Sequence, residues 1–232
     1  MKNKNKSSES RKNYYLFKMN ALILNGVSLI LTVFCFYIFY LIYRNDSLIV
    51  LYNNLNIIMI LYIPYLLLHE LLHSFAYIKY GADFDNITYG MHLEKGILCC
   101  LCKQRISKKN ILCSLLYPFI IIGIITLLLG IIVDSSLLIL LSLINITGCS
   151  GDLVMFYHLL KLKNYEFSEY NDPMAFALYT SEDFSKLKLF GLTFIEKTTK
   201  IDKSDLRKVV ISKPSIIILI IFYVLFTFTL FI

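Results

Sequence analysis

Apolar residues in this chain arrive in blocks long enough to leave water. Five runs stand out: Met19–Tyr43, Leu55–Ile78, Ile111–Val133, Ser136–Leu160 and Ser215–Ile232. A helix needs about 20 largely apolar residues to cross a bilayer; the first four runs reach that length and the last is near the short limit. The 232 residues are 57% hydrophobic and 17% charged, with a mean hydropathy of +0.66. Soluble domains average about 45–50% apolar and about 25% charged residues, so composition points the same way. The expected fold class is an α-helical polytopic membrane protein with about five transmembrane helices and small cytoplasmic β elements. Met19–Tyr43 is too long for a signal-peptide core and lacks a small-residue cleavage site, so it reads as a retained first helix.

Charge sets the expected orientation. Of 23 Lys and Arg residues, six precede the first run, six lie between the second and third, and ten follow the fourth, leaving Arg44 alone on the other side. Basic residues concentrate on the cytoplasmic side of membrane proteins, which places the N-terminus inside. The net charge of +7 then serves anionic lipid at the bilayer surface and calls for no nucleic-acid partner. In this reading residues 1–18 are a basic cytoplasmic tail and 19–162 a transmembrane core with a cytoplasmic hairpin at 81–110. Residues 163–214 form a second cytoplasmic segment, and 215–232 the final helix. The plasma membrane of a bacterium is the expected location.

Two polar stretches interrupt the helical pattern. In "FDNITYGMHLEKGILCCLCKQRI" two β-prone runs flank the turn-like "LEKG", which predicts a hairpin. The later "MAFALYT" and "LKLFGLTFIE" read as short strands, with "NDP" as a turn. Four of the six cysteines, Cys99, Cys100, Cys102 and Cys113, fall in or beside the first stretch, where a reducing cytoplasm implies no disulfide framework. "CCLC" lacks a second cysteine pair at zinc-finger spacing and reads as part of a buried strand.

The second apolar run holds an anomaly. "LYIPYLLLHELLHSFAYIKYG" carries His69, Glu70 and His73 in its middle, and a charge at mid-membrane costs about 2.5–3.5 kcal/mol even on the mild insertion scale. Intramembrane ionisable residues face a cavity or a partner. Four residues apart, His69 and His73 project about 40° apart on one helix face, so both imidazoles can hold one zinc ion. Glu70 is placed to take a proton from a zinc-activated water.

A catalytic zinc needs a third protein ligand, and Asp152 is the candidate. Glu70 lies eight residues before Ile78 and Asp152 eight before Leu160. Each therefore sits about 12 Å below the inner end of its run. Gly148, Ser150 and Gly151 allow the helices to approach closely. Asn145, two turns before Asp152, is a candidate substrate or oxyanion hydrogen-bond donor, or a bond between helices. His158 reads as interfacial, His92 as a surface residue of the hairpin, and Asp172 before Pro173 as a turn residue. Pro64 and Pro118 each remove a helix hydrogen bond, so kinks are expected there.

These residues carry a resemblance. With His69, Glu70, His73 and a later Asp152, the chain resembles the site-2-protease-like membrane zinc metalloproteases, and more closely a bacterial family of membrane zincins. The shared elements are the HExxH, the "YPFI" of the third run, the glycine-aspartate element "SGDLVMFYHLLKL" and the following "NDPMAF", together covering roughly Tyr62 to Phe176. The resemblance implies zinc on His69, His73 and Asp152 with Glu70 as general base. Site-2 proteases place their aspartate in an Asp-Gly element, whereas here Asp152 follows Gly151 and precedes Leu153. The expected function is hydrolysis of peptide bonds in membrane-associated proteins or small peptide precursors. The alternative is a non-proteolytic immunity, transport-accessory or regulatory protein with a structural metal site. Oligomeric state is not legible.

Overall fold

A computed structural model describes residues 13–92, 97–169, 174–186 and 189–199. The first twelve residues, the expected final helix at 215–232 and Asp172 lie outside the described residues. In chain order the elements are strand β1 (Asn13–Met19), helices α1 (Ala21–Tyr43) and α2 (Ser47–Lys79), and strands β2 (Ile87–His92), β3 (Ile97–Cys102) and β4 (Ile106–Ser107). Then come α3 (Lys108–Pro118), a π-helical segment (Phe119–Ile125), α4 (Thr126–Ile132), α5 (Ser136–Gly148) and α6 (Ser150–Lys161). Strands β5 (Tyr165–Glu169), β6 (Ala175–Thr180) and β7 (Leu192–Thr198) follow. The described chain is mostly helical, with two small sheets.

Two helical stretches are long and apolar enough to cross a membrane, Ala21–Lys79 and Lys108–Ile132. The first holds 59 residues, about 88 Å of helix, far more than the roughly 30 Å of one hydrocarbon core. It breaks at Arg44, whose φ of 45° is a left-handed conformation. Beyond that break α1 and α2 line one cavity together with α5, so the chain has turned back on itself. The loop expected over Arg44–Asn54 shrinks to one 3-10 turn, Arg44–Asp46. Asn54 stays inside α2 because its amide donates to the Val50 carbonyl and the Ser136 hydroxyl. α2 also runs through Pro64 without interruption.

Where the sequence suggested one continuous span over Ser136–Leu160, α5 and α6 meet at Cys149 with a 50° bend and count as one span only together. Gly148, Ser150 and Gly151 surround the bend, where glycine disfavours helix and Ser150 and Asp152 suit a first turn. Large apolar side chains on α1, α2 and α4 point outward, among them Leu22, Ile30, Leu48 and Ile132. Leu48 is 78% exposed. Exposed apolar surface on this scale suits lipid contact better than water.

Residues 13–19 correct the expectation of a basic tail running directly into a helix at Met19. They form β1, an inner strand of a five-stranded antiparallel sheet ordered β4-β5-β6-β1-β7. Tyr15, Leu16, Phe17 and Met19 are all buried, because apolar and aromatic residues dominate this otherwise basic stretch. Phe17 pairs with Phe176 across the sheet and stacks on it at 5.8 Å, and Phe167 stacks on Phe176 in turn. This core continues into Tyr77 of α2, Ile111 and Leu115 of α3 and Leu159 of α6, so the sheet caps one end of the bundle. "MAFALYT" and the "LTFIE" half of the later run are strands, as expected; Tyr165–Glu169 adds one that was not foreseen.

The expected hairpin forms by pairing of β2 and β3, with Ile87 opposite Cys102 and His92 opposite Ile97. Cys100 and Cys102 are buried on it, consistent with a strand rather than a metal site. Lysine and tyrosine gather where the helices meet the sheet. Lys79 donates to the Tyr117 hydroxyl at 2.7 Å, Lys161 to the Tyr157 hydroxyl, and Lys108 to the Leu160 and Leu162 carbonyls at the end of α6. Amphipathic tyrosines and long cationic stems favour a membrane interface. His69, ten residues before Lys79, lies about 15 Å along the helix from that level.

Phe17 is the test of the cap. Phe17→Ala removes a ring packed between Phe176 and Phe194 and is expected to cost about 3–5 kcal/mol. A lower thermal unfolding midpoint of the detergent-solubilised protein, relative to wild type, is the readout.

Candidate metal centre

Three ligand-type atoms from two helices converge at mid-bundle. The i, i+4 spacing in α2 stacks His69 over His73, with their Nε2 atoms 3.2 Å apart. Asp152, in the first turn of α6, reaches across so that its Oδ2 lies 3.3 Å from each Nε2. The bend at Cys149 makes this possible, because it turns the start of α6 toward α2. All three side chains are mostly buried, and His73 is the deepest.

The other face of each imidazole is held. His73 Nδ1 lies 3.0 Å from the Ser114 carbonyl, which only accepts, so that nitrogen carries the proton. His69 Nδ1 lies 2.9 Å from Asn145 Oδ1. Asn145 is oriented by its own amide, which donates to the Pro118 carbonyl at 3.0 Å and to Cys149 Sγ at 3.5 Å. The Pro118 carbonyl faces Asn145 where α3 passes into the π-helical segment, a distortion of the regular hydrogen-bond ladder. Gly123 lets that segment pack closely: a Cβ there would sit 3.0 Å from Ile146 and 3.6 Å from Asn145 Nδ2.

With both Nδ1 protons directed outward, neutral imidazoles present two bare Nε2 acceptors to a carboxylate. Three lone-pair donors within 3.3 Å repel one another unless a proton or a metal cation sits among them. Tetrahedral zinc with bonds of about 2.0–2.1 Å holds its ligand atoms about 3.3–3.4 Å apart, so the spacing and chemistry of this donor set fit that ion. Carbonyl partners on the outer nitrogens are also the usual second layer of a histidine-metal site.

Glu70 is 9% exposed and lines the same cavity as the three donors, with its carboxylate hydrogen-bonded to the backbone of Cys100 in β3. That cavity, about 240 Å³, also takes walls from the sheet side: Met19 and Met174 close it together with Met155 of α6. Asn145, read either as a substrate or oxyanion donor or as a bond between helices, is buried and bonds to His69, Pro118 and Cys149. His158 is buried toward the far end of α6, beside the Tyr157–Lys161 level, and does not join the cluster. His92 sits at the turn end of the hairpin.

Sequence reasoning passed over Cys149. Its sulfur belongs to a group with His69 and Asp152 whose ligand atoms all lie within 4.8 Å of one another. The signal was available, since positions 149 and 152 are three apart and share a helix face. The Ser114 carbonyl and the methionine walls left no such trace.

Residues 62–167 match the family model DUF3267, described as "Putative zincin peptidase". The match supports a zincin-like family and with it a zinc-dependent peptidase; it contains His69, Glu70, His73, Asn145 and Asp152. No curated protein and no solved structure matches the chain.

Asn145→Ala leaves His69 Nδ1 without its acceptor. Loss of such a partner lowers metal affinity about 10–100-fold. Competition against a chelator of known zinc affinity measures the loss, while circular dichroism of the same sample checks that the helices persist.

Proposed function

We propose that this protein is a membrane-embedded zinc metallopeptidase that cleaves membrane-associated proteins or small peptide precursors. The observation that carries the reading is the convergence of His69, His73 and Asp152 within 3.3 Å, with the Glu70 carboxylate in the same buried cavity. A purely structural site has no use for that carboxylate.

Zinc bound there would act as a Lewis acid and make a water molecule acidic enough to attack an amide at neutral pH. Glu70 takes the proton of the attacking water and delivers it to the leaving amine, and its contact with the Cys100 backbone aims it. His69 and His73 keep their orientation through Asn145 and the Ser114 carbonyl. β3 lies along the cavity through Cys99, Cys100 and Leu101, and on its other side pairs with β2. A peptide laid along this wall in extended form offers its carbonyl to the site. The apolar helices, the basic residues near their ends and the lysine–tyrosine level support a multi-pass protein of a bacterial plasma membrane, with its N-terminus and sheet in the cytoplasm.

One observation favours a second reading, a structural metal site. Cys149 is near enough to serve as a fourth donor, and a four-ligand zinc is closed to substrate. Cobalt(II) substitution separates the two: a thiolate-to-cobalt charge-transfer band that disappears in Cys149→Ser marks the closed site, and no such band marks the open one.

In detergent, wild type is expected to carry one zinc per chain, with His69→Ala and Asp152→Ala carrying none. Glu70→Gln is expected to retain zinc and fold while losing peptide cleavage, by a factor of at least about 10² for removal of a general base. A zinc-free, well-folded wild type in zinc-supplemented buffer overturns the proposal.

A further inference from the structure

The metal cavity is not the largest space in the bundle. A chamber of about 490 Å³ lies between α1, α2 and α5, walled chiefly by apolar side chains such as Phe39, Leu55, Ile58 and Leu143. Its volume falls in the range of ligand pockets, and its few polar groups, Ser28, Thr32 and Thr147 among them, are of the kind that orient a bound chain. The hydroxyls of Thr32 and Thr147 are occupied with carbonyls of their own helices, at 2.8 and 3.0 Å.

Two residues, Gly148 and Ser150, line both this chamber and the metal cavity. They flank the bend that carries Asp152. A Cβ added at Gly148 would meet nothing within 4 Å, so the glycine borders open space. Ser150 is 7% exposed, and its place in the lining of both cavities puts a hydroxyl where a passing backbone can bond to it.

We infer that the chamber is a second substrate subsite: a run of apolar residues on one side of the scissile bond occupies it, and the peptide backbone threads past Gly148 and Ser150 to reach the metal. The inference rests on the metallopeptidase reading of the site. The Ser150 hydroxyl meets the backbone at the crossing, and the chamber walls select apolar side chains. Peptides with charged residues at the positions that fill it are excluded, since among the described residues no charged side chain lines the chamber.

The chain has no tryptophan, which makes a single reporter clean. Leu55→Trp places one on the chamber wall, and Ile131→Trp one on the exposed outer face. The probe is a synthetic leucine-alanine peptide ending in a hydroxamate, which grips zinc, with brominated phenylalanines behind it as contact quenchers. Added to zinc-loaded protein in phosphatidylcholine vesicles, it is expected to quench Leu55→Trp and leave Ile131→Trp unchanged. Gly148→Leu, at a position where an added Cβ meets nothing within 4 Å, fills the passage and is expected to abolish that quenching, while the hydroxamate still competes with a chelator for zinc. A peptide that binds zinc but leaves Leu55→Trp unquenched, or that quenches it equally in Gly148→Leu, overturns the inference alone. So does quenching by brominated lipid that persists at saturating peptide, which makes the chamber a lipid site. A peptide that fails to engage zinc removes the metallopeptidase reading, and the subsite with it.

Discussion

Three acceptor atoms, two imidazole nitrogens and one carboxylate oxygen, meet within 3.3 Å in the apolar middle of a helical bundle. No arrangement of neutral imidazoles and an ionised carboxylate is stable there by itself, because like lone pairs face one another with little water to screen them. Much of the surrounding architecture serves to hold them in place. Helical periodicity stacks His69 on His73, the bend at Cys149 brings in Asp152, and the Ser114 carbonyl and Asn145 tie down the outer nitrogens. A proton on one imidazole or a metal ion among the three resolves the conflict, and the spacing is one that zinc would fit.

Irregular backbone is concentrated near this point. α3 gives way to a π-helical segment just after Pro118, and the carbonyl of that proline accepts from Asn145. α5 gives way to α6 one residue after Gly148. In a lipid-facing helix such breaks leave backbone groups without partners, a cost tolerated only where protein or a cavity surrounds them. Here the breaks face inward. One supplies an acceptor that orients the Asn145 amide, and the other supplies Asp152 and two residues, Gly148 and Ser150, that line both cavities.

The sheet is the second organising element. β1 precedes the first long helix in sequence yet lies between β6 and β7, strands formed more than 150 residues later. This long-range closure brings Met19 and Met174 over the metal cavity, with the Met19 N–H donating to the Met174 carbonyl at 2.7 Å. In the proposed reading these methionines form an adaptable apolar roof, as thioether side chains do at surfaces that accommodate varied partners. β3 approaches from another direction and reaches Glu70 through its backbone, so helices and both strand systems meet at one cavity.

By itself the sequence determined what local rules can carry: long apolar helices, the hairpin around "LEKG", two of the later strands, and the metal-ligating potential of "HELLH". Periodicity and burial cost act over a few residues, so they are readable in one dimension. Matching the depths of Glu70 and Asp152 extended this to a pair 82 positions apart, because rise per residue is constant along any helix. Tertiary structure decided the rest. The strand at residues 13–19 looked like a basic tail because its partners lie far along the chain. The bend at Cys149 was hidden inside a run apolar enough to pass as one helix. Of the two readings of Asn145 the folded chain has the bond between helices, to His69, and Cys149 joins the cluster, because packing of α5 against the π-helical segment sets their directions. Side-chain direction follows from which faces meet, and only the folded chain brings those faces together.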